Sequence, residues 1–371
     1  MNNNSYPRPN TNIDNLNREF DIGNDRLDFY RFDKNERTYN FSQSFFSKLF
    51  KEIGTESITM YPDQKPLYDI LSSKLKINAT NILLTPGADA GIKYFFDTYV
   101  TKGTKVAYLW PTYAMIDVYS QMYEAQPVKI SFDTDLNINI EDLLNKLNNE
   151  IDILIIANPN QPSGTIIDDK DLLKLFDKCQ QKQIPFLIDQ TYHDFTDANK
   201  IEIEKHIIDN PFLFAVRSFS KSYGIAGARL GYIVSNECNI KNLYKVKPLS
   251  DINYFSLKCA ELLLTDKTFF KEHVREVLDS KKILEQYLIK NNIDFVPSHT
   301  NFMHIKIDDE KALTDIYNKL VGKSFLVRKT GDNLPATLVG CIRLTIGSVD
   351  QTKKFISEFD AIKNTLTELN F

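Results

Sequence analysis

From about residue 80 onward, short apolar runs alternate with stretches of helical periodicity, and this alternation constrains the fold more than any other feature of the chain. Ile82–Leu84, Val106–Leu109, Val128–Phe132, Ile153–Ala157, Phe186–Ile188 and Leu213–Val216 read as strands. Between them, Ile92–Val100 and Asp142–Leu147 are amphipathic, and Leu172, Leu175, Phe176 and Cys179 recur at i, i+3, i+4 and i+7. Strand–helix alternation predicts an α/β fold with a mostly parallel sheet and helices on both faces. Such sheets bind ligands at the carboxyl ends of their strands, so the residues just beyond each run carry the functional information.

A long helical pattern follows, with Val274, Val277, Leu278, Leu284 and Leu288 on one face, and it bridges to a second, smaller α/β unit. There Asn301–Ile307, Phe325–Val327 and Ile342–Ile346 read as strands, with helices near 309–321 and 350–366. The first 20 or so residues are polar, Asn-rich and Pro-punctuated, an arm expected to have little structure of its own.

The composition narrows the functional classes. A length of 371 residues suits about two domains. With 42% hydrophobic and 12% aromatic residues the chain is globular, not disordered. A net charge of −4 argues against wholesale nucleic-acid binding. No apolar run approaches the roughly 18 residues of a membrane span, and the N-terminus does not read as a secretion signal. Cys179, Cys238, Cys259 and Cys341 lie far apart, without a CxxC pair. They read as separate reduced thiols, and the expectation is a soluble cytoplasmic protein.

Four segments hold candidate chemistry. In RSFSKSYGIAGARLGY (217–232), Lys221 follows an apolar strand, between serines and ahead of a glycine-spaced turn. Ser218, Ser220 and Arg229 can hold a phosphate beside an amine. A lysine near cations and out of water loses its proton more readily and becomes a Schiff-base nucleophile. The plain alternative is a Ser/Gly loop with a solvated lysine. Neither GxGxxG nor GxxxxGK[ST] is present, which weakens dinucleotide and P-loop readings.

In IPFLIDQTYHDF (184–195), the strand ends in Asp189, with Tyr192 three residues on. A carboxylate at a buried strand end needs a cationic partner, and a protonated pyridine nitrogen is one. Asp189 and His193 as metal ligands is the weaker idea, because no third ligand of matching spacing follows. In ANPNQPSG (157–164), amides on a Pro-fixed turn can donate to a phenolate-like oxygen. In TPGADAGI (85–92), Ala88 and Asp89 open a helix whose free N–H groups suit a phosphate.

Taken in order, these segments resemble the fold-type-I pyridoxal-phosphate enzymes, and within them the class I/II aminotransferases of the histidinol-phosphate aminotransferase group, which includes threonine-phosphate decarboxylase relatives. The resemblance runs from about Asn35 to the C-terminus. It rests on YPD at 61–63, GAD at 87–89, PTY at 111–113, NPNQPSG at 158–164, D-x-x-Y at 189–192, S-x-S-K-x₇-R at 218–229 and GCIRLTIG at 340–347. It implies an N-terminal arm with part of the small domain at 1–55, a large pyridoxal-phosphate-binding domain at 56–252 and a small C-terminal domain at 253–371.

The resemblance also implies roles. Lys221 forms the Schiff base with pyridoxal 5′-phosphate, Asp189 pairs with the pyridinium nitrogen, and Tyr192 reaches the ring's phenolic oxygen. Tyr113 stacks on the ring. The phosphate takes the N–H groups of Ala88 and Asp89, the hydroxyls of Ser218 and Ser220, and Arg229. Tyr61 reaches the phosphate of a neighbouring subunit, which makes the active unit a homodimer. Arg343 grips the substrate's acidic group, Arg328 matches a second arginine of members with phosphorylated substrates, and Asn35 sits where relatives contact substrate. The chain also departs from the pattern. Gln161 stands where the family usually has Asn before P-S-G, so Gln161, Asn160 or Asn158 is the candidate for the ring oxygen. Gln190 and Ala90 replace acids.

The activity implied is transamination between an amino acid, expected to be glutamate, and a small phosphorylated carbonyl compound, with no metal. Decarboxylation of a phosphorylated amino acid such as phosphoserine or phosphothreonine uses the same cofactor. A cofactor-binding DNA regulator is disfavoured, because only about 60 residues precede YPD and no basic recognition helix is evident.

Overall fold

A computed structural model describes residues 9–14, 16, 26–196, 201–331 and 334–365. The main sheet contains β1 (Ile82–Thr85), β2 (Lys105–Trp110), β3 (Gln126–Ser131), β4 (Ile153–Ala157), β5 (Phe186–Asp189), β6 (Leu213–Ser218) and β7 (Gly231–Ser235), in the order β1-β7-β6-β5-β4-β2-β3. The pairs from β6 to β3 are parallel, whereas β7 runs antiparallel to both β6 and β1. The six expected strands are all present, with β3 starting two residues earlier than its apolar run. β7 escaped the sequence reading because GYIVS follows directly on the glycine-spaced loop.

The sheet is covered on both faces, which is why its strands read as unbroken apolar runs. Side chains alternate between two cores. Leu154 and Ile156 pack with α1 (Gln43–Glu52), α2 (Lys65–Leu75), α6 (Asp169–Lys182) and α8 (Tyr254–Thr265). Ile153 and Ile155 face α3 (Gly87–Tyr99), α4 (Ala114–Met122) and α7 (Glu237–Tyr244). The remaining crossover helix is α5 (Ile140–Lys146). Leu172, Leu175, Phe176 and Cys179 are the buried residues of α6, as their spacing predicts. That helix is held at its start by Asp168, which accepts the Asp171 N–H. Each such leucine or isoleucine contributes about 1.5–3 kcal/mol of burial free energy.

The smaller domain is built on an antiparallel sheet of β8 (Phe295–Val296), β9 (Phe302–Lys306), β10 (Arg328–Lys329) and β11 (Cys341–Thr345), ordered β10-β11-β9-β8. Its core is closed by α9 (Lys267–Lys290), α10 (Glu310–Gly322) and α11 (Val349–Asn364), the last opened by a capping box between Ser348 and Gln351. On α9, Val277, Leu284 and Leu288 are buried and Val274 is half-buried against the same core, whereas Leu278 is only half-buried. The run Phe325–Val327 is not one strand. Phe325–Leu326 pairs in parallel with Tyr30–Arg31, and Arg328–Lys329 joins β11, so the chain changes sheets at Val327. Tyr30 stacks on Phe325 with centroids 4.6 Å apart, and this brings the segment before Asn35 against the small domain. Of the N-terminal arm, Thr11–Asp14 forms one short helix, and Asn12 bonds to the Met122 carbonyl. Residues 1–8, 15 and 17–25 lie outside the described residues. No helix among the described residues is long and apolar enough to cross a membrane.

Candidate active site

The carboxyl ends of β1, β4, β5 and β6 converge on one edge of the main sheet, and a cavity of about 540 Å³ opens there. Of the residues singled out in the sequence, Ala88, Asp89, Tyr113, Gln161, Asp189, Tyr192, Ser218, Ser220, Lys221 and Arg229 all line it. Its size is that of a small-molecule site.

One wall is the start of α3. Its first residue, Gly87, has φ +81°, and a Cβ there would lie 2.8 Å from Arg229 Nη2. Glycine therefore lets the guanidinium settle against the helix start. Pro86 offers no side-chain cap, so the first N–H groups of α3 keep their donor capacity toward the cavity. Arg229 is itself left-handed, at φ 50°, and its Nη1 donates to Ser220 Oγ at 3.3 Å. Because β7 is antiparallel to β6, the loop from Phe219 to Leu230 returns to the edge it left. Ser218, Ser220, Lys221 and Arg229 therefore stand on one side of the cavity.

Asp189 ends β5 as a 6%-exposed carboxylate, and its Oδ1 accepts the Thr191 N–H at 2.9 Å. Burial pushes this carboxyl above the usual range, against the pull of the Thr191 hydrogen bonds. Among the described residues it has no ion-pair partner. Lys221 Nζ donates to the Lys34 carbonyl at 3.0 Å. Burial lowers its amine to about 8; Glu36 and Asp189 oppose the fall, and Arg343 and Arg229 reinforce it. A fraction of the neutral amine is therefore present near neutral pH.

Tyr192 is buried beneath the lysine, its ring centroid 5.8 Å from Nζ. Its hydroxyl donates to Gln161 Oε1 at 2.9 Å and accepts from Asn35 Nδ2 at 3.1 Å. Burial raises its phenol to about 12, so it remains protonated. Tyr113 is half-buried at the start of α4, its phenol pushed up by burial and by the adjacent Asp89.

The three amides of NPNQPSG part company. Asn158 accepts the Ile167 N–H at 2.8 Å and donates to the Ile167 carbonyl at 3.0 Å. Asn160, 1% exposed, bonds to Pro111, Thr112 and Ser163. Both amides brace the loop, and Gln161 alone of the three lines the cavity.

On the small-domain side, Arg343 is 9% exposed, and its Nη2 donates to the Asp33 carbonyl at 2.8 Å. Arg328 lies opposite it in register and is exposed. Asn35 is turned inward, held by Thr345 and Asn301 as well as Tyr192. Tyr61 is 85% exposed and does not line this cavity. The sequence reading missed Arg26, Lys34 and Glu36, which also line the cavity. Arg26 pairs with Asp33 and, at 2.9 Å, with Glu36. Only the DKNER string hinted at them, through Asn35.

The family profile described as aminotransferase class I and II matches residues 64–359. The chain belongs to this family. The aminotransferase is 28% identical over 352 residues to a histidinol-phosphate aminotransferase of Aliarcobacter butzleri, covering 93% of this chain and 94% of that one. It is 30% identical over 316 residues to one of Flavobacterium psychrophilum, covering 83% and 87%. In fold it matches the histidinol-phosphate aminotransferase of Sinorhizobium meliloti, solved with pyridoxal-5′-phosphate, at a TM-score of 0.85 and 20% identity over 98% of this chain and 99% of that one. The L-threonine-O-3-phosphate decarboxylase of Porphyromonas gingivalis matches at 0.75 and 21% identity, over 90% and 99%.

The aminotransferase is thus a fold-type-I pyridoxal-phosphate enzyme, and its donor set suits that cofactor. A primary amine of lowered basicity, a carboxylate buried without an ion-pair partner among the described residues, and a cluster of N–H, hydroxyl and guanidinium donors share one cavity. They match an aldehyde, a pyridine nitrogen and a phosphate.

Proposed function

We propose that this aminotransferase moves an amino group between glutamate and a small phosphorylated carbonyl compound of the histidinol-phosphate or three-carbon amino-alcohol-phosphate type. The supporting observation is a pair of cations, Arg328 and Arg343, directly opposite each other on β10 and β11. Like charges in that position repel, and among the described residues neither has an acidic ion-pair partner. An anionic substrate group relieves the repulsion, and the relatives' names point to phosphorylated substrates.

In this reading Lys221 holds the cofactor, Asp189 faces its ring nitrogen, and Gln161 with Tyr192 faces its ring oxygen. Tyr113 covers the ring. The N–H groups of Ala88 and Asp89, the hydroxyls of Ser218 and Ser220, and Arg229 take the phosphate. Bound pyridoxal phosphate supplies the electron sink that accepts charge when a bond to the substrate Cα breaks. Lys221 Nζ, its place taken by the substrate amine, would move the proton from the substrate Cα to the cofactor carbon it had held within one half-reaction, and would move a proton in the opposite direction in the second half. Arg343 orients the substrate through its anionic group, and Asn35 keeps Tyr192 in place.

The active unit in this reading is a homodimer in the cytoplasm. Phe50, Ile58, Met60, Tyr61, Leu249 and Phe255 are exposed apolar or aromatic side chains around α1, the short helix Glu56–Thr59 and α8. A second copy covers them and brings Tyr61 to the neighbouring phosphate site. Sedimentation of the holoenzyme reads the dimer, and Tyr61→Phe weakens cofactor retention if the hydroxyl crosses.

The decisive experiment is the visible spectrum before and after glutamate alone. Loss of the cofactor's yellow band, restored by a phosphorylated carbonyl acceptor, supports transamination. A band unmoved by glutamate, together with carbon dioxide release from phosphoserine or phosphothreonine, overturns it.

A further inference from the structure

His304 is 0% exposed, yet among the described residues neither of its ring nitrogens has a hydrogen-bond partner. A buried polar group in that condition is costly, and each instance calls for an explanation. On β9, His304 is the register partner of Arg343 on β11, which is in turn the register partner of Arg328 on β10. The three side chains form a row on one face of the small sheet, running from solvent to core. The Nε–H of Arg343 is buried and likewise without a partner among the described residues.

The face they share is the one turned to the active site. Phe302, two residues before His304, meets the Tyr192 ring edge-on at 5.5 Å, and the Arg343 guanidinium carbon lies 5.6 Å from the Phe302 centroid. His304 stands next, its ring 5.9 Å from Phe302. Burial, helped by Arg343, lowers its imidazole to about 3, so the ring is neutral and keeps a lone pair.

We infer that His304 is a positioning residue for Arg343: a ring nitrogen of His304 accepts the Arg343 Nε–H when the guanidinium turns both Nη groups onto the substrate's anionic end. This rests on the reading of Arg343 as the anion grip. The two arrangements differ in their donors. In this structure Nη2 is held by the Asp33 carbonyl, and Nε has no partner among the described residues. Bidentate capture of a carboxylate or phosphate by the two Nη groups leaves Nε–H facing away from the anion, toward the histidine. One contact thereby satisfies Arg343 Nε–H and one of the two His304 ring nitrogens, and His304 sets how readily Arg343 adopts the binding orientation.

The test uses the dimeric holoenzyme and three variants. His304→Leu removes the acceptor and raises KM for glutamate by about ten- to thirtyfold with kcat nearly unchanged, the effect of losing one hydrogen bond to a charged group. His304→Gln keeps an acceptor oxygen and recovers most of the loss. Because leucine also removes two unsatisfied buried atoms, the thermal midpoint of His304→Leu does not fall, which separates positioning from a packing role. With only five histidines in the chain, selective ¹⁵N-imidazole labelling reads His304 directly. Its ring nitrogen signals shift on adding glutarate to the wild type and stay fixed in Arg343→Ala. Unchanged KM in His304→Leu, or no shift with glutarate while Arg343→Ala still raises KM, overturns the role of His304 alone. Unchanged KM in Arg343→Ala overturns the reading of Arg343 itself.

Discussion

The Tyr192 hydroxyl donates to Gln161 Oε1 at 2.9 Å, and this contact fixes which way the Gln161 amide faces. Asn35 Nδ2 donates to the same phenol, so the phenolic proton is directed at Gln161. With its oxygen engaged, Gln161 has its NH₂ left to donate into the cavity. Gln161→Leu is expected to weaken pyridoxal-phosphate binding about tenfold. Gln161→Asn, too short to keep the Tyr192 contact, falls between the two. Cofactor release followed by absorbance checks both.

Asp189→Asn separates stability from turnover. The carboxylate is buried without an ion-pair partner among the described residues, so the substitution is expected to leave the cofactor-free chain as stable as the wild type or more so. Turnover falls about 10²-fold or more, because the ring nitrogen loses its charged partner. The sign of the pH effect follows from the raised pKa. Between the ordinary carboxylate range and the raised folded value, the native state binds more protons than the unfolded one, so stability falls as pH rises. Mild acidification therefore stabilises the cofactor-free protein through this group, and the effect disappears on loading. Thermal melts at several pH values, with and without cofactor, read it.

In its proposed role, Lys221 sets the pH dependence of cofactor capture. Its amine titrates at about 8, and only the neutral form attacks an aldehyde. The capture rate is expected to drop about tenfold per unit of pH well below that value and to level off above it. Lys221→Ala abolishes both the yellow band and turnover. Stopped-flow absorbance on the cofactor-free enzyme measures the profile.

Behind Asp189, Arg217 forms a buried ion pair with Glu204, and its Nε donates to Gln190 Oε1 at 3.0 Å. Arg217 thus has one charged partner, Glu204, and one neutral partner, Gln190, at the position next to Asp189. Glu204→Gln strands a buried guanidinium and is expected to cost about 3–5 kcal/mol. Adding Gln190→Glu returns an acid to the strand end and recovers much of that loss. Denaturant titration of the single and double variants checks the pair.

The main sheet was legible because its strands are buried on both faces, and a run such as Ile153–Ala157 admits little else. The chain order of motifs likewise brought Ala88, Asp189 and Lys221 to one edge, since parallel strands place their carboxyl ends together. The rest depends on contacts distant in sequence. Arg26, Lys34 and Glu36 lie in a segment without periodicity, drawn in when Tyr30–Arg31 pairs with Phe325–Leu326. His304 sits in an apolar strand as a single imidazole, and only the register with Arg343 gives it meaning. Asn158 and Asn160 are identical in type to a cofactor ligand, and their bracing role appears only once the loop is folded.

The loop bearing Lys221 is tied at both ends, because Ser218 and Gly231 are register partners in adjacent antiparallel strands. Such a tether acts as a ruler. One residue inserted between Phe219 and Leu230 cannot be passed along into either strand without moving every side chain there to the opposite face. It would have to be absorbed within the loop, pulling Arg229 out of line with Lys221. Length, as much as residue identity, is therefore what this loop must preserve.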